Sequence, residues 1–197
     1  MRLICAIVLL AICGCSEPKL SGDSDEATTS NHPSDTALPT ANQTVDHSEA
    51  KNVAVVLVRE MNQATLDGNY SRIAELTHPA LVKAVGGQAA MIAMIERGND
   101  KLTAVGIKIR GAAIGDPGRI VASGSEWFLV VPFVLEMKVP NGKLFGRTFV
   151  IGVSIDRGAT WRFLNGDVEP QALKQLLPNL PEQLRLPARE KPIVYPE

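Results

Sequence analysis

Three patterns of apolar and polar positions follow one another along the 197-residue chain. Behind Met1-Arg2, Leu3 to Cys13 is an unbroken apolar run of eleven residues. That is the length of a secretory h-region and short of the roughly 18 residues that span a membrane. Residues 16–49 then hold almost no large apolar side chain and no aromatic one. From Ala50 a helical period sets in. Val53, Val56, Leu57, Met61 and Ala64 share one stripe of a helix over Ala50–Leu66, which Asp67-Gly68-Asn69 stops. Ser71–Leu76 predicts a short second helix, ended by Thr77-His78-Pro79, and Ala80–Val85 reads as a short strand or an irregular segment. Gly86-Gly87 leads into a third helix over Gln88–Arg97, closed by Gly98-Asn99-Asp100.

From Leu102 the period changes to two. Val105, Ile107 and Ile109 alternate with Gly106, Lys108 and Arg110, and Gly115-Asp116-Pro117-Gly118 turns the chain. A long strand over Glu126–Val139 and a returning one over Leu144–Ile155 predict a hairpin with Asn141-Gly142 as its two-residue turn. In that register Glu136 opposes Arg147, Val134 opposes Phe149 and Val130 opposes Val153. Glu136–Arg147 is then a rim ion pair of small energetic weight, the alternative being a polar pair inside a pocket. Pro132 implies an edge position or a bulge. A further strand over Thr160–Leu164 and a helix over Glu169–Leu177 precede a tail, 178–197, with five prolines. The other face of the long strand, Leu129, Val131, Phe133, Leu135 and Met137, is apolar throughout. Both faces therefore need cover: helices on one, and the tail or a second copy, as a homodimer through the sheet, on the other.

Charge sharpens these divisions. Residues 16–49 carry one basic residue (Lys19) against seven acidic ones, for −6, and residues 50–197 carry 18 basic and 14 acidic ones, for +4. The near-neutral total is thus a cancellation, and it excludes a strongly basic nucleic-acid binder. The acidic segment cannot bury enough surface to offset its ordering entropy. It reads as a tether about 30–35 Å long on average, with His32 and His47 solvated on it. All three cysteines lie at positions 5, 13 and 15, so the folded part rests on an ordinary apolar core, without thiol chemistry or a thiol-bound metal.

Ile12-Cys13-Gly14-Cys15 resembles a bacterial lipobox, departing from the commonest pattern at Cys13. The resemblance implies cleavage between Gly14 and Cys15 and acylation of Cys15, which anchors the mature protein in a membrane. The alternatives are an ordinary cleaved signal or an uncleaved anchor. Each buried CH₂ contributes about 0.8 kcal/mol, so two or three chains hold durably where one does not. Ser16, in place of an aspartate after the cysteine, favours the outer membrane where there are two. The chain thus divides into a signal peptide (1–14), a lipidated cysteine with its tether (15–49), an α+β domain (50–177) and the tail (178–197).

Helices followed by an antiparallel meander, with Thr65-Leu66-Asp67-Gly68-Asn69-Tyr70, Leu76-Thr77-His78-Pro79 and Gly86-Gly87, resemble the nuclear transport factor 2-like superfamily with its SnoaL-like members. The resemblance covers about 50–167. It implies N-terminal helices packed on a curved antiparallel sheet, a cone-like roll around a pocket; a cystatin-like roll is the alternative. Ser154-Ile155-Asp156-Arg157-Gly158-Ala159-Thr160-Trp161 is similar to the Asp-box of sialidase propellers, Ser-x-Asp-x-Gly-x-Thr-Trp. A propeller needs several blades, so here Ser154, Asp156, Gly158, Thr160 and Trp161 read as a structural hairpin. Asp156 takes backbone N–H bonds, Gly158 takes an unusual φ and Trp161 packs beneath.

Catalytic chemistry has thin support. His78 is the domain's sole histidine and suits capping or pocket lining. Glu126, Glu136 and Asp167 are the weak carboxylate partners of a SnoaL-like enzyme reading. No metal cluster, phosphate loop or dinucleotide fingerprint is present, so no cofactor is expected. The sequence favours an exported binding or interaction module for a small ligand or an envelope protein, with no nucleic-acid partner.

Overall fold

The structure, a computed structural model, describes residues 46–196. The lipobox, with Gly14 and Cys15, most of the tether and His32 lie outside them. Helix α1 (His47–Asp67) starts three residues before the expected point, because Asp46 caps it by accepting the Ser48 N–H. His47 is therefore a helix residue, exposed but with its ring edge-on to Trp127 at 4.9 Å, rather than part of a tether. Gly68, at φ 70°, ends α1. Helix α2 (Tyr70–Leu76) is bolted back to α1 by Arg72, whose Nε meets Glu60 and whose Nη1 meets Glu75, both at 2.8 Å.

Two sequence expectations fail here. Residues Ala80–Ala84 are helical, within α3 (Pro79–Ala84), and Val85 is its C-cap. Six residues are too few to separate periods of 2 and 3.6, whereas Pro79 is preset for the first helical position and His78 for the cap. The next helix, α4 (Gln88–Ala104), runs through Gly98-Asn99-Asp100 instead of stopping there. Gly98 is buried inside it, and one turn on, Leu102 is buried against Met137 and Leu144. That burial outweighs the cost of about 1 kcal/mol of a mid-helix glycine. Val105 consequently caps the helix and is exposed, not a strand residue.

Among the described residues, six antiparallel strands form one open sheet: β1 (Lys108–Ile114), β2 (Val121–Ser123), β3 (Glu126–Val139), β4 (Gly142–Ser154), β5 (Arg162–Asn165) and β6 (Ile193–Tyr195). Their order is β1-β3-β4-β5, with β2 beside β1 on β3 and β6 beside β5 on β4. Helix α5 (Pro170–Leu176) sits between β5 and the tail. The class is α+β, with N-terminal helices packed on an antiparallel sheet.

The hairpin register departs from expectation by one residue on each strand. Val139 pairs with Gly142, so Pro140-Asn141 make the turn, and neither has positive φ. A type I′ turn requires positive φ at both central residues. Pro140 suits the first central position of a type I turn, and Gly142, at φ 135°, follows it. Glu136 accordingly opposes Phe145, and Arg147 opposes Val134, Phe149 opposes Pro132 and Val153 opposes Phe128. The expected Glu136–Arg147 pair is not formed; Arg147 bonds Glu190 instead, Nη1 to Oε2 at 3.3 Å. Because the correction shifts the pairing by two, every side chain keeps its expected face. Pro132 is in a central strand, not at an edge. Its carbonyl accepts the Gly115 N–H, and its missing N–H faces the same side, where β1 has ended and β2 has not begun.

Both faces of the sheet are covered where β5 pairs with β4. Leu129, Val131, Val150, Trp161 and Phe163 pack with Ala50, Ala54 and Val58 of α1. On the opposite face Phe128, Val130, Phe149, Ile151 and Leu164 pack with Ala74, Leu81 and Met91 of α2, α3 and α4, with Leu173 and Leu177 of α5 and its end, and with Leu184 of the tail. Helices α2 to α5 and the chain's own tail thus share the cover of this second face.

Candidate functional site

The Asp-box sequence folds as a staple. Ser154 Oγ donates to Asp156 Oδ1 at 2.8 Å and accepts the Gly158 N–H at 2.7 Å. Asp156 also accepts the Thr160 N–H at 2.8 Å and the Thr160 hydroxyl at 2.6 Å. Burial pushes the Asp156 carboxyl up, but the donors from Thr160 and Ser154 outweigh it and hold the group below the usual carboxylate range. Gly158, at φ 90°, lies where a Cβ would overlap Ala50. Trp161, fully buried, donates its indole N–H to the Ala50 carbonyl at 3.0 Å. The five residues thus lock the β4–β5 connection onto the first turn of α1 and turn no reactive group toward a ligand.

The four candidate catalytic residues do not form one cluster: the charge of Glu126 reaches His78, while Glu136 and Asp167 are engaged elsewhere. His78 Nδ1 accepts the Ala80 N–H at 3.3 Å as the cap of α3, while the His78 backbone N–H donates to the Phe163 carbonyl at 2.8 Å. Burial pushes this imidazole below its ordinary value, and the charge of Glu126 opposes the shift without reversing it. Glu126 accepts from Asn179 Nδ2 at 2.9 Å. Glu136 stands ten residues further along β3, roughly 30 Å away at the rise of an extended strand. Asp167 accepts the Thr148 hydroxyl at 2.9 Å. Among the described residues, no group of three or more His, Cys, Asp or Glu side chains is placed to hold a metal.

The residues that do converge belong to the hairpin tip and the tail. Arg189 pins the tail by bonding Glu169 Oε1 at 3.1 Å and the carbonyls of Asp167 and Val168 at 2.9 and 3.1 Å. Beyond it, Glu190 meets Arg147, and β6 pairs Ile193, Val194 and Tyr195 with Phe145, Leu144 and Lys143. Gly142 permits this approach, since a Cβ there would overlap the Tyr195 carbonyl. The rings of Phe145 and Tyr195 meet edge to face at 5.6 Å.

Between sheet and tail lies a groove with two connected hollows. The outer one, about 470 Å³, is lined by Val134, Lys143, Phe145, Arg147, Lys191 and Tyr195, among others. The inner one, about 350 Å³, runs past Pro132, Phe149 and Pro187, and shares Val134, Arg147 and Glu190 with the outer. Such volumes fall in the range of small-molecule sites. The floor is apolar, and the rim carries Lys143, Arg147 and Lys191 with one carboxylate, Glu190. The exposed Arg147–Glu190 pair stands at the junction of the two hollows, where an ion pair of little intrinsic strength opens easily.

Of the sequence-based candidates, Asp167 touches this region through Thr148 and the pinned tail, and Glu136 stands beside it, opposite Phe145. Lys143, Phe145, Lys191, Ile193 and Tyr195 were not singled out by the sequence. Their common signal, one face of a hairpin under a tail, emerges once the register and the tail pairing are known. No family model matches the chain, and no curated protein matches it.

Proposed function

We propose that this chain is a membrane-anchored envelope lipoprotein whose exported α+β domain binds a small ligand or partner segment in the groove beneath its C-terminal tail. The observation that carries the binding role is the groove itself: an apolar floor of Val134, Phe145 and Phe149 with cations at its rim, roofed by a tail held through exposed contacts. The anchor rests on the apolar run Leu3–Cys13 and the lipobox-like Ile12-Cys13-Gly14-Cys15. No helix among the described residues is long and apolar enough to cross a membrane. Helices ahead of an antiparallel sheet agree with the nuclear transport factor 2-like order, which supports a scaffold for binding. The enzyme reading draws no support from His78, whose Nδ1 lone pair is used by the α3 cap.

A neutral apolar dye, N-phenyl-1-naphthylamine, tests the groove. The full chain carrying Cys15→Ser is expected to bind it saturably, and Val134→Trp, which fills the floor, is expected to remove most of that binding. Equal binding by both proteins would contradict the groove reading. Separately, mass spectrometry of the mature protein is expected to find an acylated Cys15 at the N-terminus; an intact residue 1 would contradict the anchor.

A further inference from the structure

The corrected register brings together a set of charges that the sequence order conceals. Lys138 on β3 lies directly opposite Lys108 on β1 and directly opposite Lys143 on β4. Adjacent strands lie about 4.8 Å apart, so three lysines stand in a row about 10 Å long on one face. All three are exposed, and none forms an ion pair among the described residues. Like charges directly opposed across a sheet are destabilising. The opposite face of the same strands, with Met137, Val139, Leu144 and Ile107, is buried beneath Leu102 of α4. The row is therefore fixed in place by a buried core, not gathered on a loop.

Lys143 belongs both to this row and to the lining of the groove. Row and groove together carry five cations, Lys108, Lys138, Lys143, Arg147 and Lys191, against two carboxylates, Glu136 and Glu190. Glu190 is already bonded to Arg147. From the row, the surface passes directly to the apolar floor of Val134 and Phe145 and to Ile193 and Tyr195 of the tail strand. A soluble polyanion would account for the lysines and leave the groove unexplained. A neutral hydrophobe would account for the groove and leave the repelling lysines unexplained.

We propose that the groove takes an anionic amphiphile, with its phosphate or carboxylate head on the row Lys108–Lys138–Lys143 and its apolar chain along Val134, Phe145, Ile193 and Tyr195. This rests on the groove being the ligand site. The exposed lysine ammonium groups attract such a head as point charges, and the mutual repulsion of the row is relieved when the head is bound. The apolar chain supplies affinity by leaving water.

The test is displacement of N-phenyl-1-naphthylamine from the full chain carrying Cys15→Ser by two monomeric lipids that share one acyl chain, lysophosphatidylglycerol and lysophosphatidylcholine. The anionic lipid is expected to displace the dye at about tenfold lower concentration, the ratio one or two near-surface lysine contacts supply. Raising salt should narrow the gap. Lys108→Gln combined with Lys138→Gln, neither of which lines the groove, should close it while leaving dye binding intact and the melting temperature unchanged or higher, because a like-charge contact is removed. Equal displacement by both lipids in the unaltered protein would overturn the charge inference and leave the groove reading standing. Failure of the dye to bind at all would overturn both.

Discussion

The two halves of the β3–β4 hairpin have the same alternating pattern and different surroundings. At the base, Phe128–Val131 and Val150–Val153 are buried on both faces, by α1 on one and by α2 to α5 and the tail on the other. At the tip, Met137, Val139 and Leu144 are buried on one face, while Lys138 and Lys143 on the other are exposed and Val134 and Phe145 are half-buried. The base also has a strand on each edge, β2 and β5. The tip has β1 on one edge and, on the other, a three-residue strand from the tail, flanked by Pro192 and Pro196. Alternation thus states which faces want cover, and only the tertiary structure states what supplies it. Where cover is complete the strands serve stability, and where it is partial they are free to bind.

That contrast can be broken most forcefully at the base. Trp161→Ala is expected to cost about 3–5 kcal/mol, the range for deleting a buried aromatic, read by urea denaturation. Trp161→Phe, which removes the bond to Ala50 and part of the buried ring, should cost less, about 1–3 kcal/mol. Gly158→Ala, which puts a Cβ at positive φ against Ala50, should cost roughly 1–3 kcal/mol by thermal melting.

Asp156→Ala comes next, at about 1–2 kcal/mol, since its donors are bonded to a charged but solvent-exposed group. Its carboxyl is held low in the folded state, so its stabilisation is complete above the unfolded value of about 3.9. It should be lost as pH falls through the lower folded value. Acid titrations of the parent and the Asp156→Ala variant should therefore converge below that point, and parallel curves would contradict the assignment.

His78 gives a smaller effect in a different window. Burial lowers its folded pKa, so the neutral cap contributes fully above the unfolded value of about 6.5 and less as pH falls through the folded one. His78→Asn, another effective cap residue, should flatten the stability profile between neutral and mildly acidic pH. The smallest stability change is expected at the tip. Truncation after Lys191 removes β6, whose three residues are exposed, and should cost less than about 1 kcal/mol. It should nevertheless weaken dye binding, and an equal loss of stability and binding would erase the distinction between base and tip.

Much of this architecture was legible where local chemistry and tertiary context agree. Strand β3 ends at the expected residues, Glu126 and Val139, because a long β-branched and apolar run is bounded by turns. The Asp-box hairpin was legible because its bonds lie within eight residues. The turn was misread because Asn141-Gly142 is a strong hairpin signal, yet Pro140, fixed in φ, claims the first central position. Helix α4 outran its stop signal because Leu102 gains cover from Met137 and Leu144, far away in sequence. Strand β6 carries no long pattern of its own; its three residues are ordered by pairing with β4. The groove was illegible for that reason, since one wall is the tail. The lysine row was illegible because Lys108, Lys138 and Lys143 become neighbours through two strand pairings.

The most direct test of the account is a map of amide chemical shifts as lysophosphatidylglycerol is added below its micelle concentration. Shifts confined to Val134–Arg147, Lys108 and Glu190–Tyr195, with Phe128–Val131 and Val150–Val153 unmoved, are the predicted result. Shifts centred on the base, or on the His78 corner with the tip silent, would contradict it.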